Sequence, residues 1–106
     1  MVARVRVPAV VRPAEVFVVR IAIQHVMETG FRLTDTGRPI PRNVIHTLAV
    51  RYGGQEVFRA ELGSGVAANP YLEFPVQAVA SGPMVFEWVD DAGIRGSETV
   101  AITVAG

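Results

Sequence analysis

Between Glu15 and Ile23 every second residue is large and apolar: Phe17, Val19, Ile21 and Ile23. A run at period two puts its bulk on one face of an extended strand, and no helical stripe of period 3.6 accommodates it. The opposite face, with Val18, Arg20 and Ala22, is mixed, as in a sheet with one packed side and one partly wet side. The same alternation recurs along the chain. Asn43–Tyr52 places His46, Leu48 and Val50 on one face and Ile45, Thr47 and Ala49 on the other. Gln55–Leu62 aligns Phe58, Ala60 and Leu62. Met84, Phe86 and Trp88 share a face opposite Glu87, and Val100, Ile102 and Val104 alternate along a last strand.

Two further segments are strand-like. Val5 and Val7 alternate with Arg4 and Arg6 until the Pro8–Pro13 segment ends the strand. Tyr71–Val79 contains Pro75, which cannot donate to a ladder and marks an edge strand or a bulge. Turn signals separate the strands: Gly53-Gly54 offers positive φ at both centres of a two-residue hairpin, and Ser81-Gly82-Pro83 and Asp91-Ala92-Gly93 also turn the chain. Val, Ala and Ile outnumber Leu and Met, which again favours pleated strands. The expected fold is an all-β, immunoglobulin-like sandwich of about seven strands, a single domain spanning residues 1–106. A chain of this length buries one core and no more.

The alternation stops between Gln24 and Arg42, a segment long for a connection in so small a domain. It carries Met27, Phe31, Leu33 and Ile40, bulk that a disordered linker rarely holds. Met27, Glu28, Thr29, Gly30, Phe31 and Arg32, together with Ile40, Pro41 and Arg42, mix apolar residues with opposite charges, as protein contact patches do. An Ω-type loop burying its own side chains against the sandwich accounts for the same composition. Both alternatives stand at this point. The Gly63–Pro70 stretch is a second irregular loop.

No catalytic set emerges from the residues. The two histidines, His25 and His46, have no close second histidine and no thiolate. With Glu28 near His25 a metal site can be drawn, but a ring that packs or fixes the backbone explains each histidine more simply. Ser64, Ser81 and Ser97 lie outside nucleophile-elbow sequences, and Asp90-Asp91 beside Gly93 reads as a turn. Gly63-Ser64-Gly65 lacks the Lys and the strand–loop–helix context of a phosphate loop. Neither a metal nor any other cofactor is expected.

Basic and acidic residues balance at ten each with no block of like charge, so neither nucleic acid nor an anionic membrane is an expected partner. All ten basic residues are Arg. Arg suits interfaces through bidentate pairing, but a skewed, GC-rich coding composition explains the bias more simply. Cysteine is absent, which removes disulfides and thiol chemistry together. The first residues, MVARVRVPAVVRPAE, lack the uninterrupted apolar core of a signal peptide. The expected location is therefore the cytoplasm, or a compartment reached by a route the chain does not encode.

A set of short motifs, spread from the long loop to the last turn, carries a resemblance. His25, Met27-Glu28-Thr29-Gly30, Arg32, Asp35, Gly37, Ile40-Pro41-Arg42-Asn43 and Ile45 precede Glu56-Val57-Phe58-Arg59-Ala60 and Ala68-Asn69-Pro70-Tyr71. Trp88, Asp90-Asp91 and Gly93 complete the pattern. The chain resembles the SoxZ family, the cysteine-free subunit of the SoxYZ carrier of thiosulfate oxidation, over nearly its whole length.

The resemblance implies a non-catalytic scaffold in a heterodimer with a SoxY-like subunit. That partner would carry sulfur intermediates on the cysteine of a flexible C-terminal arm and present them to other Sox enzymes. It also implies a periplasmic site, reached by co-export with a twin-arginine-signalled partner. The expected partner contacts are Met27, Glu28, Thr29, Gly30, Arg32, Ile40, Pro41, Arg42, Asn69, Pro70 and Tyr71. The chain departs from the family at Val26, where Pro is common. That departure is compatible with a divergent relative, such as the SoxYZ-like carriers associated with quinoprotein dehydrogenases. The alternative from another class is a small periplasmic metal-handling or electron-transfer sandwich domain using His25 or His46.

Overall fold

Seven strands form, in the order the alternation implies: β1 (Ala3–Arg6), β2 (Val16–Ile23), β3 (Ile45–Tyr52), β4 (Gln55–Glu61), β5 (Tyr71–Gln77), β6 (Gly82–Asp90) and β7 (Arg95–Ile102). The computed structural model describes residues 2–106. The strands make two antiparallel sheets, one of order β1-β2-β5 and one of order β4-β3-β6-β7. Their apolar faces meet in one core, in which Phe17, Val19, Ile21 and Ile23 of β2 oppose Leu48, Val50, Met84, Phe86 and Trp88 of the larger sheet. The expected immunoglobulin-like sandwich is the observed fold.

The two flanks of the sandwich close differently. On one, Phe58 of β4 stacks on Phe74 of β5 with ring centroids 4.0 Å apart, bridging the sheets where no backbone bonds join them. On the other, the proline-bounded segment after β1 crosses to the larger sheet, and Val11 pairs in parallel with Val104. At one end the Tyr52 hydroxyl donates to the Ala80 carbonyl and accepts from the Val79 and Ala80 amides, tying β3 to the segment after β5. Pro75 lies on β5, an edge strand, as its missing donor requires. Gly53 and Gly54 take φ of +64° and +75°, the two left-handed positions of the β3–β4 hairpin.

Two packing details depart from simple alternation. The pairing of β3 with β6 shifts register between Ile45 and Thr47, and this bulge lets Ile45 turn fully inward. His46 therefore does not share a face with Leu48 and Val50, contrary to the period-two expectation; its ring meets the Thr47 hydroxyl at 2.8 Å instead. Trp88 of β6 lies directly opposite Gly96 of β7, and its ring occupies the volume a side chain at that position would fill.

Candidate functional site: a braced arm at one end of the sandwich

The segment between β2 and β3 folds as a hairpin, and of Met27, Phe31, Leu33 and Ile40 only Met27 is fully buried in the core. Its two legs pair across Glu28 and Asn43, which exchange both backbone hydrogen bonds at 2.8 Å, and again across Leu33 and Pro39. Between them runs an irregular hairpin arm, reversed at Gly37 with φ of +80°. Legs of several extended residues reach roughly 20 Å, and the molecule as a whole is elongated, 62 by 19 by 19 Å.

The base of the arm is locked from three directions. The His25 amide donates to Asn69 Oδ1, and the Asn69 amide returns a bond to the His25 carbonyl at 2.7 Å. Inside the ring of contacts, His25 Nδ1 accepts the Met27 amide at 2.9 Å, so the proton on the neutral imidazole sits on Nε2, which faces Asp90 Oδ2 at 3.1 Å. The Asp90 Oδ1 atom accepts the Ile94 amide and fixes the β6–β7 turn. Burial alone pushes the Asp90 carboxyl up. Hydrogen bonds from Ile94, from His25 and from Ala92 outweigh that effect and hold it below the ordinary carboxylate range.

Asp91 braces the second leg. Its Oδ2 accepts from Arg42 Nε at 3.0 Å and from the Val44 amide at 3.1 Å, while Asn43 Oδ1 accepts the Ala92 amide. Farther out, Arg32 grips Glu28 through Nε at 2.8 Å, and Ser64 donates to the Thr29 carbonyl. Gly30 adopts φ of +88° and passes so close to the other leg that an added Cβ would lie 3.1 Å from Arg42 Cβ. The motif residues around positions 25–30, 40–43, 69 and 90–93 thus form one interlocked base.

That base reassigns several expected contacts. Met27 is buried at 3% exposure, with φ of +50°, and its sulfur accepts the Ile45 amide, so it belongs to the core rather than to a contact surface. Pro70 is buried too. Glu28, Thr29, Gly30 and Ile40 are half-buried within the arm, whereas Arg32, Pro41, Arg42, Asn69 and Tyr71 are exposed. Tyr71 faces outward from the smaller sheet, where its hydroxyl donates to Glu73. The arm's exposed apolar bulk is instead Phe31 at 84% and Leu33 at 62%. Both were visible in the sequence as large residues, but only the observed pairing shows that they find no cover within the described chain.

The same geometry defines what the histidines can do. Both ring nitrogens of His25 are engaged, one by a backbone amide and one by a buried carboxylate. Among the described residues no three His, Cys, Asp or Glu side chains are grouped to hold a metal ion. Val26 keeps its side chain in solvent, and the bonds on either side of it hold the turn without a proline.

A family model described as sulphur oxidation protein SoxZ matches residues 5–101. The chain belongs to the SoxZ family. No curated protein matches it by sequence. Among solved structures it is similar to a superoxide reductase (neelaredoxin) from Ignicoccus hospitalis, with a TM-score of 0.74 at 17% identity, covering 99% of this chain and 81% of the other. A putative superoxide reductase from Thermotoga maritima gives a TM-score of 0.72 at 17% identity over 98% of this chain and 86% of the other. The sulfur carrier protein SoxY from Chlorobium limicola f thiosulfatophilum gives 0.66 at 7% identity, over 98% and 79%. At these identities the likeness is one of fold. SoxZ membership thus rests on the sequence model, and the sandwich is shared with SoxY and with the reductases alike.

Proposed function

We propose that this SoxZ-family chain is the non-catalytic subunit of a heterodimeric sulfur carrier, holding a SoxY-like partner through the braced arm. The partner's cysteine arm would bear the sulfur intermediates of thiosulfate oxidation and present them to the other enzymes of the system. The site of action is the periplasm, reached by co-export with the partner.

The observation that carries this reading is the contrast within the arm. Its base is fixed by buried or charged hydrogen bonds, while Phe31 and Leu33 stand uncovered along the leg beyond it. Exposed aromatic and aliphatic side chains on a preorganised element, flanked by Arg32 and Arg42, have the composition of an interface anchor. The family match and the SoxY-like fold support the choice of partner. The absence of cysteine suits a subunit that must not compete for the carried sulfur.

Co-expression of the chain with a SoxY-like protein from the same genome tests the reading. The expected result is a one-to-one complex that stays together during size-exclusion chromatography at micromolar concentration. Elution of the two chains as separate species would contradict it.

A further inference from the structure

The outward face of the smaller sheet carries an arrangement that the partner-holding reading does not use. Pairing of β1 with β2 and of β2 with β5 sets two rows of residues across the three strands. One row is Arg4, Ala22 and Tyr71, and the next is Arg6, Arg20 and Glu73. Ala22 is the one small residue in this group. It floors an open depression of about 350 Å³, walled by Arg4, Arg6, Arg20 and Tyr71.

The charges are unbalanced. Arg6 and Arg20 are direct cross-strand partners, and Arg4 is diagonal to Arg20. Like charges so placed repel, and a sheet gains nothing from them unless something neutralises them. Glu73 supplies one carboxylate, which accepts from Arg20 Nε at 3.3 Å and from the Tyr71 hydroxyl. Arg4 and Arg6 take part in no ion pair among the described residues. Three guanidinium groups against one carboxylate leave two positive charges around a floor of one methyl group.

We propose that Arg4, Arg6 and Arg20 form a receiving site for a tetrahedral oxyanion of sulfur. Guanidinium forks match the oxygen geometry of such anions, and the residual charge of two neutralises a free dianion fully and exceeds the single charge of an attached sulfonate. That the anion is one of sulfur, rather than phosphate, rests on the proposed function: oxidised sulfur species are oxyanions at neutral pH. The oxyanion arrives free in solution, as thiosulfate or sulfate, or as the sulfonate end of a group attached to the partner.

The test is a titration of the isotope-labelled chain followed by amide resonances at low ionic strength, since surface charge interactions are screened by salt. Sodium thiosulfate, sodium sulfate and sodium phosphate are compared, with sodium chloride at matched ionic strength as the blank. A parallel sample contains the heterodimer with the partner's cysteine S-sulfonated. The expected result is saturable shifts centred on Arg4, Arg6, Arg20 and Ala22. Arg6→Gln should weaken them about tenfold, as loss of one charge-assisted contact implies, and Arg59→Gln on the other sheet should leave them unchanged. Shifts with free anions identify the soluble source, and shifts confined to the sulfonated heterodimer identify the attached one. No saturable shift in either arm, shifts that survive Arg6→Gln, or phosphate bound more tightly than either sulfur anion would overturn the proposal. Heterodimer formation is scored separately, so a stable complex without anion shifts rejects this site alone. Anion shifts in a chain that forms no complex reject the carrier reading and leave the anion site standing.

Discussion

His25 Nε2 lies 3.1 Å from Asp90 Oδ2 across 65 residues of sequence, joining the foot of the arm to the turn between β6 and β7. Both side chains are buried, and each has its other polar atom committed, His25 Nδ1 to Met27 and Asp90 Oδ1 to Ile94. The site is therefore a closed hydrogen-bond chain from arm to turn, with every member satisfied.

Asp90→Asn breaks that chain with minimal change of shape. An amide offers one oxygen where two donors, His25 Nε2–H and the Ile94 amide, require acceptors, so one donor is left facing an NH2 group. The expected loss is about 1–3 kcal/mol, read as a fall in Tm of roughly 5 °C or more. The pH dependence follows from the depressed Asp90 value. Unfolded Asp takes up its proton near pH 3.8, whereas the folded group resists it to lower pH. Its stabilisation is complete above that value and disappears as pH falls through the folded value. Urea unfolding should show the native chain losing stability below about pH 4, with a flatter profile in the variant.

Gly96→Ala tests the packing of the single tryptophan. A Cβ there would fall 2.3 Å from Trp88 Nε1 and Cε2, so the ring must move or the strands must part. Overpacking of this kind costs about 1–3 kcal/mol. Calorimetry should record the loss, and the Trp88 fluorescence maximum should shift as the ring leaves its slot. An unchanged spectrum and Tm would mean that β7 does not lie against the indole.

Gly30→Ala and Gly37→Ala separate close approach from backbone strain in the arm. Both glycines have φ near +80° to +90°, but only Gly30 abuts the facing leg, while Gly37 has nothing within 4 Å. Alanine at either position costs about 1 kcal/mol for its φ. Gly30→Ala should cost more, because Arg42 Cβ must move and takes the Asp91 contact with it. Chemical denaturation of the two variants side by side gives the comparison, and an equal loss would contradict the tight crossing of the legs.

The strands were legible because one wet face and one dry face impose period two, and Phe17 through Ile23 show it without interruption. Pro75 narrowed β5 to an edge strand or a bulge for an equally local reason, and the strand order makes it an edge. The inward turn of Ile45 was not, since a bulge depends on how β3 meets β6 rather than on either strand alone. Nor was the role of Met27, whose burial requires the backbone to enter the left-handed region within a segment that has no periodicity. The arm itself remained ambiguous in sequence, because the Glu28–Asn43 pairing joins residues separated by the whole excursion. The Arg4, Arg6 and Arg20 cluster was hidden for the same reason: two separate stretches, each ordinary in charge, become neighbours only through strand register.

The affinity of the SoxY-like partner for the double variant Phe31→Ser, Leu33→Ser tests the central claim most directly. Both side chains are exposed and make no core contact, so Tm should stay within about 2 °C of the native chain. Titration calorimetry should show binding weakened at least about 100-fold, as removal of two apolar anchors implies. Affinity within about threefold of the native value, in a variant that folds normally, would contradict the arm as the partner-holding element.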